Sequence, residues 1–72
     1  MSDIDFYDEV KILETARHEE YRGMTGVVFG FSHEDNIIYG YSIYIPEIGF
    51  CISFKRDDFE KTGIKFKRSD FY

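Results

Sequence analysis

The glycines at positions 23, 26 and 30 raise the possibility of a phosphate-binding loop. The stretch RGMTGVVFGFS lacks both the Gly-Lys-Ser/Thr ending and the Gly-x-Gly-x-x-Gly spacing of such loops. It also leads into a run of β-branched and aromatic residues, whereas phosphate sites use the N-terminus of a helix. The spacing therefore predicts a turn that leads into a bent strand.

The remaining candidates for chemistry are one cysteine and two histidines. Cys51 lies in an alternating segment with no second Cys or strong base nearby and is expected to be a small, semi-buried thiol. His18 and His33 fall in predicted polar loops, and nothing in the sequence brings either one close to Cys51. Residues 33–36 offer metal-ligand types, but adjacent residues in a tight turn seldom converge on one ion. The sequence thus predicts no catalytic residue, no metal site and no cofactor, and we expect a protein that is not an enzyme.

The charge is concentrated at the N-terminal end. Residues 1–20 hold seven acids and two bases, which accounts for the whole net charge of −5, since residues 21–72 hold seven of each. Such an acidic segment would attract a basic partner and speed association, although solubility alone is the alternative explanation. The acidic candidates for partner binding are Asp3, Asp5, Asp8, Glu9, Glu19 and Glu20.

Aromatic residues are in excess of what one face of a small domain needs. Tyr7, Tyr44 and Tyr72, together with Phe71, are candidates for a partner surface because aromatic residues are enriched at binding hot spots. Core edges or a small second cluster are the alternative.

The elements that would position these residues follow a period of two, which indicates strands. Five strands are expected: from residue 6, from 25, from 37 to Pro46, from 50, and from 64, with a turn at 33–36 and one helical turn near Asp57 or Asp58. The faces predicted to be inward are Phe6, Val10 and Ile12; Val27, Phe29 and Phe31; Ile37, Tyr39, Tyr41, Ile43 and Ile45; Phe50, Ile52 and Phe54; and Ile64 and Phe66. This pattern predicts an all-β protein, a small five-stranded SH3-like barrel with one 3₁₀ or α turn before the last strand. A five-stranded OB-fold is the competing fold.

Length and composition limit the class of protein. Seventy-two residues form one domain, residues 1–72, and a single cysteine excludes an intramolecular disulfide and favours a reducing compartment. The acidic N-terminus lacks the pattern of a signal peptide, and no apolar run approaches the roughly 20 residues that span a bilayer. The sequence therefore predicts a cytoplasmic protein.

The segments FYDEVKIL, RGMTGVVFGFS, IIYGYSIYI, FCISFKRDDFEKTG and SDFY together resemble the immunity protein 31 family of bacterial polymorphic toxin systems. The resemblance implies a non-enzymatic antidote that binds and neutralises a cognate toxin. The acidic N-terminus suggests that this toxin is a basic nuclease domain.

Other functions remain open at this point. An SH3-like adaptor or regulatory module would bind a peptide in an aromatic groove formed by residues such as Tyr7, Tyr44 and Tyr72. RNA binding would need one basic face from Lys55, Arg56, Lys61, Lys65, Lys67 and Arg68, whose charge is largely offset by neighbouring acids. A homodimer would form if an edge strand carrying residues 70–72 paired with a second copy.

Overall fold

The computed structural model describes residues 3–71. Within this range the chain forms five antiparallel strands in one sheet of order β4-β3-β2-β1-β5. The strands are β1 (Asp8–Ile12), β2 (Thr25–Glu34), β3 (Ile37–Ile45), β4 (Phe50–Phe54) and β5 (Phe59–Lys65), and 3₁₀ turns span Glu19–Tyr21, Arg56–Asp58 and Arg68–Asp70. This confirms the predicted fold class, an all-β SH3-like barrel with a 3₁₀ turn before the last strand. Only the four-residue turn 46–49 joins β3 to β4, so the helix expected there in an OB-fold is missing from the described chain.

One face of the curved sheet encloses the core. The largest fully buried side chains are Phe54, Phe59, Ile12, Ile43, Ile45, Val10 and Val28, and Ile4, Ala16 and Tyr41 complete the cluster. Because Phe54 and Phe59 flank the Arg56–Asp58 turn, this turn ties the end of β4 to the start of β5. None of the helical turns in residues 3–71 is long and apolar enough to cross a membrane.

Two β-bulges change which residues face the core, so the predicted faces of β2 and β3 are wrong at the residues next to them. In the β2–β3 ladder Val28 lies opposite Ile43 but Gly30 lies opposite Ser42, so Phe29 is an extra residue. A bulge leaves one residue unpaired and shifts the alternation that follows it. Phe31 packs against the core as predicted and Val28 belongs to the core, whereas Phe29, predicted to be inward, packs on the opposite face.

The second bulge lies close to the β2–β3 turn. Ser32 lies opposite Gly40 and His33 opposite Ile38, so Tyr39 is the extra residue in β3. Ile38 packs against the core, whereas its neighbours Ile37 and Tyr39 do not. The side chains of Ile37 and Tyr39, predicted to be inward, are 67% and 51% exposed.

The β2–β3 turn is shorter than the predicted four-residue loop. Asp35 and Asn36 are its two central residues, with φ of 51° and 68°, and positive φ at both positions is the mark of a type I′ hairpin turn. His33 therefore lies in β2 and not in a loop.

The first and last strands also differ from the prediction. β1 begins only at Asp8, and the ring of Phe6, predicted to be inward, is 44% exposed. β5 begins at Phe59, five residues earlier than expected, and Ile64 is 51% exposed. Residues 68–70 form a 3₁₀ turn, so the expected edge strand at the C-terminal end is absent as far as residue 71.

Candidate protein-binding surface

Two of the predicted acidic candidates are paired with bases from the C-terminal half of the chain. Oδ2 of Asp3 lies 2.6 Å from a guanidinium nitrogen of Arg56, and Oδ2 of Asp5 lies 2.9 Å from Nζ of Lys65. The hydrogen bond from Arg56 lowers the pKa of Asp3 to about 2, and the hydrogen bond from Lys65 lowers the pKa of Asp5. The acidic N-terminal segment is thus not a uniformly negative surface.

The next two acids serve local structure. Asp8 is 6% exposed, accepts a hydrogen bond from the backbone N–H of Asp5 at 2.9 Å, and lies 3.7 Å from Nζ of Lys61. The carboxylate of Glu9 accepts a hydrogen bond from the hydroxyl of Thr62 at 2.8 Å. The contact of Asp8 with Lys61 and the hydrogen bond of Glu9 with Thr62 join β1 to β5.

The last two acids lie in a separate region. Glu19 and Glu20 are exposed in the 3₁₀ turn of the β1–β2 loop, where Glu20 lies 3.8 Å from Nδ1 of His18. The ring of His18 packs edge-to-face on Phe54, with centroids 5.4 Å apart. The six predicted acids therefore do not form one surface: Asp3 and Asp5 pair with bases far along the chain, and Glu19 and Glu20 lie apart from them in the β1–β2 loop.

An aromatic cluster lies on the outer face of the sheet, which we define as the face opposite the core. It consists of Tyr7, Phe29, Tyr44, Phe66 and Phe71, all half-buried. Phe29 stacks on Tyr44 at a centroid distance of 5.0 Å, Tyr7 stacks on Phe71 at 5.8 Å, and Phe29 meets Phe71 edge-on at 5.1 Å. The structure thus brings Tyr7 and Tyr44 into one cluster, while Tyr72 lies outside the described residues.

The backbone of Tyr7 holds its ring in this cluster. Tyr7 has a φ of 66°, an unusual value for a residue other than glycine. Its N–H donates to the carbonyl oxygen of Val28 at 2.8 Å, and its own carbonyl accepts from the N–H of Phe66 at 2.9 Å. These two bonds connect β2 with the segment that follows β5.

A flat area of small residues adjoins the aromatic cluster. This serine–glycine surface consists of Gly30, Ser32, Gly40, Ser42 and Ser53, contributed by β2, β3 and β4. A Cβ atom added at Gly40 would lie 3.3 Å from Oγ of Ser53 and 3.7 Å from Cβ of Ser32, and one added at Gly30 would lie 3.6 Å from Cβ of Ser42. Gly40 is buried between its neighbours, and the other four residues of this surface are half-buried or exposed.

A pocket near the β2–β3 turn combines apolar and acidic groups. This hairpin pocket has a volume of about 280 Å³ and is lined by Glu34, Asp35, Ile37 and Tyr39. Nζ of Lys55 lies 5.7 Å from the ring centroid of Tyr39 and donates to its carbonyl oxygen at 3.1 Å. A partner segment that fits this pocket would place an apolar side chain against the exposed carbon atoms of Ile37 and Tyr39. A neighbouring Lys or Arg of the same segment would then lie beside the two carboxylates.

The groups that could do covalent or metal chemistry stay apart. Cys51 is exposed, not semi-buried as predicted, and its cross-strand partner in β3 is Tyr44. The ring of His33 lies 6.3 Å from that of Phe31. Residues 3–71 contain no group of three or more His, Cys, Asp or Glu side chains that could hold a metal ion.

Sequence reasoning did not select the serine–glycine surface or the hairpin pocket. A signal for the first exists, because glycine and serine alternate at 30 and 32 and again at 40 and 42. The signal for the pocket is weaker. Gly40 inside the strand is typical of a bulge or bend, but Ile37 and Tyr39 continue the apolar alternation of β3, and only the bulge at Tyr39 places them outside the core. Searches of family models, of curated proteins and of solved structures find no match to the chain.

Proposed function

We propose that the protein is a cytoplasmic, non-enzymatic immunity protein that binds and neutralises a cognate toxin. The resemblance of its segments to the immunity protein 31 family supports this function. The structural observation that carries the proposal is the exposure of Ile37 and Tyr39 beside the carboxylates of Glu34 and Asp35. Large exposed apolar side chains next to acidic groups are typical of a surface that another protein covers.

The chemistry of the hairpin pocket supports a basic partner. Apolar and aromatic anchors supply most of the affinity in protein interfaces, while complementary charge raises the association rate and selects the partner. A toxin segment that presents an apolar side chain next to Lys or Arg would supply both the apolar anchor and the complementary charge. The net charge of −5 would add long-range attraction to a basic nuclease domain.

The N-terminal acids have a smaller part in this proposal than the sequence suggests. Asp3 and Asp5 already have basic partners within the chain, so an incoming cation would have to compete with these bases. Glu34 and Asp35 lie beside exposed apolar carbon, and we expect them to contribute more to steering the toxin.

Co-expression with a panel of toxin C-terminal domains tests the function. We expect this chain to restore growth against one toxin domain and to bind that domain in a one-to-one complex. Ile37→Ser and Tyr39→Ala should each weaken binding by about tenfold or more, because hot-spot truncations remove 1.4 kcal/mol or more of binding free energy. Ile64→Ser is the matched control, since Ile64 is an apolar residue on β5 that is 51% exposed, the same fraction as Tyr39.

The results separate the function from the site. If no toxin domain is neutralised, the immunity function is wrong. If a toxin is neutralised but the Ile37 and Tyr39 variants bind it as well as the Ile64 variant, the hairpin pocket is not the docking surface. Circular dichroism on each variant ensures that weakened binding does not reflect unfolding.

An SH3-like adaptor or regulatory module is the second candidate. The observation that favours it is the clustering of Tyr7 and Tyr44, two of the residues expected to line a peptide groove. An adaptor would bind a short extended peptide through this cluster and would rescue no toxin. Phe71→Ala, which removes a ring between Tyr7 and Phe29, should then abolish peptide binding.

RNA binding has the least support. Three of the six bases proposed to form a basic face, namely Arg56, Lys61 and Lys65, lie within 2.6–3.7 Å of an N-terminal carboxylate. Such pairing reduces the charge available to phosphates. A gel-shift assay with RNA at low salt should show no complex.

A further inference from the structure

The two edge strands of the sheet differ in how they are protected. Both β4 and β5 lie at an edge, and an unprotected edge pairs readily with another strand. β5 carries charges at Glu60, Lys61 and Lys65, and Gly63 has a φ of 92° that interrupts a regular strand. These features are the usual means by which proteins prevent pairing at an edge.

β4 has none of these features. Its sequence, Phe-Cys-Ile-Ser-Phe, contains no charge and no proline. Phe50 is 55% exposed, Cys51 and Ser53 are also exposed, and within residues 3–71 the strand pairs with β3 alone. Its outer row of backbone N–H and C=O groups can therefore receive another strand.

We propose that β4 pairs antiparallel with β4 of a second copy of the chain, which joins the two sheets into one. The pattern of the strand carries the choice of partner. An antiparallel pairing centred on Ile52 places Phe50 opposite Phe54, Cys51 opposite Ser53, and Ile52 opposite itself. Small residues meet small ones at positions 51 and 53, and Ile52 meets itself, as a self-complementary two-fold interface requires. Phe54 is 2% exposed and stays within the core of its own copy.

The charges that flank β4 agree with this direction. Glu47 precedes the strand, Lys55 follows it, and both are exposed. In the antiparallel arrangement Lys55 of each copy lies opposite Gly49 of the other, two residues from Glu47. The same register would set Glu47 opposite Asp57, but Asp57 lies in the 3₁₀ turn Arg56–Asp58 and not in the extended strand. A parallel arrangement would bring Glu47 towards Glu47 and Lys55 towards Lys55, and like charges that face each other oppose pairing.

The interface is small, so the dimer is weak and reversible. Stable complexes bury about 1,200–2,000 Å² in total, more than one five-residue strand pair can cover. We expect a dissociation constant on the order of 0.1–1 mM, in the range of transient contacts. The β4 edge and the hairpin pocket involve different residues, so this inference does not rest on the proposed function.

Sedimentation equilibrium of the full chain tests dimerisation, from about 10 µM to a few mM, a range that brackets the expected dissociation constant. We expect the mean mass to rise from monomer towards dimer. The variant Cys51→Lys/Ser53→Lys places Lys opposite Lys in both pairs that flank Ile52 and should stay monomeric, while Thr62→Lys on β5 should dimerise as the parent does. A monomer at all concentrations, or equal dimerisation of all three proteins, overturns the proposal.

A thiol cross-link tests the register independently of any effect on folding. In the register centred on Ile52, Ser53→Cys places the introduced thiol opposite Cys51 of the second copy, so mild oxidation should yield a covalent dimer through two disulfides. Thr62→Cys, with Cys51→Ser, places a single thiol on β5 and should yield far less. Equal yields from the two variants, or no covalent dimer from Ser53→Cys, contradict the pairing.

Discussion

Gly26→Ala should destabilise the fold strongly, because the chain approaches itself at this position. Gly26 is a buried residue of β2 that lies opposite Val10 of β1. A Cβ atom there would lie 2.5 Å from Cγ2 of Ile43 and 2.8 Å from the backbone carbonyl oxygen of Tyr44. Ile43 is fully buried, and the carbonyl belongs to the ladder that joins β2 and β3. Neither neighbour can move without disturbing the core or the sheet.

The magnitude follows from these contacts. Overpacking a core typically costs 1–3 kcal/mol, and a contact with backbone supports the upper end, about 3 kcal/mol. At 0.05–0.15 kcal/mol per residue a domain of this length has a free energy of unfolding of roughly 4–11 kcal/mol, so the substitution removes a large fraction of it. For a domain of this size the melting temperature should fall by about 12–24 °C.

Gly30→Ala is the matched control in the same strand. Its added Cβ would lie 3.6 Å from Cβ of Ser42, an ordinary van der Waals contact, and the free energy of unfolding should change by no more than about 0.5 kcal/mol. Thermal and urea unfolding followed by circular dichroism measure both variants. Replacing Gly26 and Gly30 together with Val should abolish folding, chiefly through Gly26. Equal melting temperatures for Gly26→Ala and Gly30→Ala would refute this account.

Two further predictions concern carboxylates. Asp58 is 3% exposed and lies 2.8 Å from a guanidinium nitrogen of Arg17. Asp58→Asn should lower the free energy of unfolding, measured in urea, by about 1.5–3 kcal/mol, the value of a charge-assisted hydrogen bond. Asp57 is exposed, so Asp57→Asn should lower the free energy of unfolding by less than about 0.5 kcal/mol. Equal losses in the two variants would contradict the structural role of Asp58. Because the folded-state pKa of Asp3 is lowered from 3.8 to about 2, its contribution to stability is present above pH 3.8 and is lost as the pH falls towards 2. An NMR titration of Asp3 should show a midpoint near 2 that moves towards 3.8 in Arg56→Met; an unchanged midpoint would count against the ion pair.

The fold was predictable because local patterns specify it. Alternation of apolar and polar residues marks β2, β3 and β4, Pro46 marks the end of β3, and the acidic pair at Asp57 and Asp58 marks the turn before β5. These signals depend only on residues close in sequence. They also agree with each other, so the number of strands and the SH3-like connectivity could be expected without coordinates.

The candidate site was predictable only in part. Tyr7 and Tyr44 were selected as excess aromatic residues, and they lie in one cluster. The exposure of Ile37 and Tyr39 was not expected. Gly40 inside the strand is a residue type that often marks a bulge, but which side chains a bulge turns out of the core depends on the register of two strands. The bulge at Tyr39 moves both residues out of the core and Ile38 towards it.

By itself the sequence determined the all-β class, the strand-forming segments and the excess of acid in its first twenty residues, since these are properties of composition and short-range pattern. Only the tertiary structure decided what those acids do. Asp3 and Arg56 are 53 positions apart, and Asp5 and Lys65 are 60 apart. The pairing of β1 with β5 brings the residues just before β1 close to β5 and to the turn that precedes it. Whether a charge attracts a partner or a residue of its own chain depends on that long-range contact.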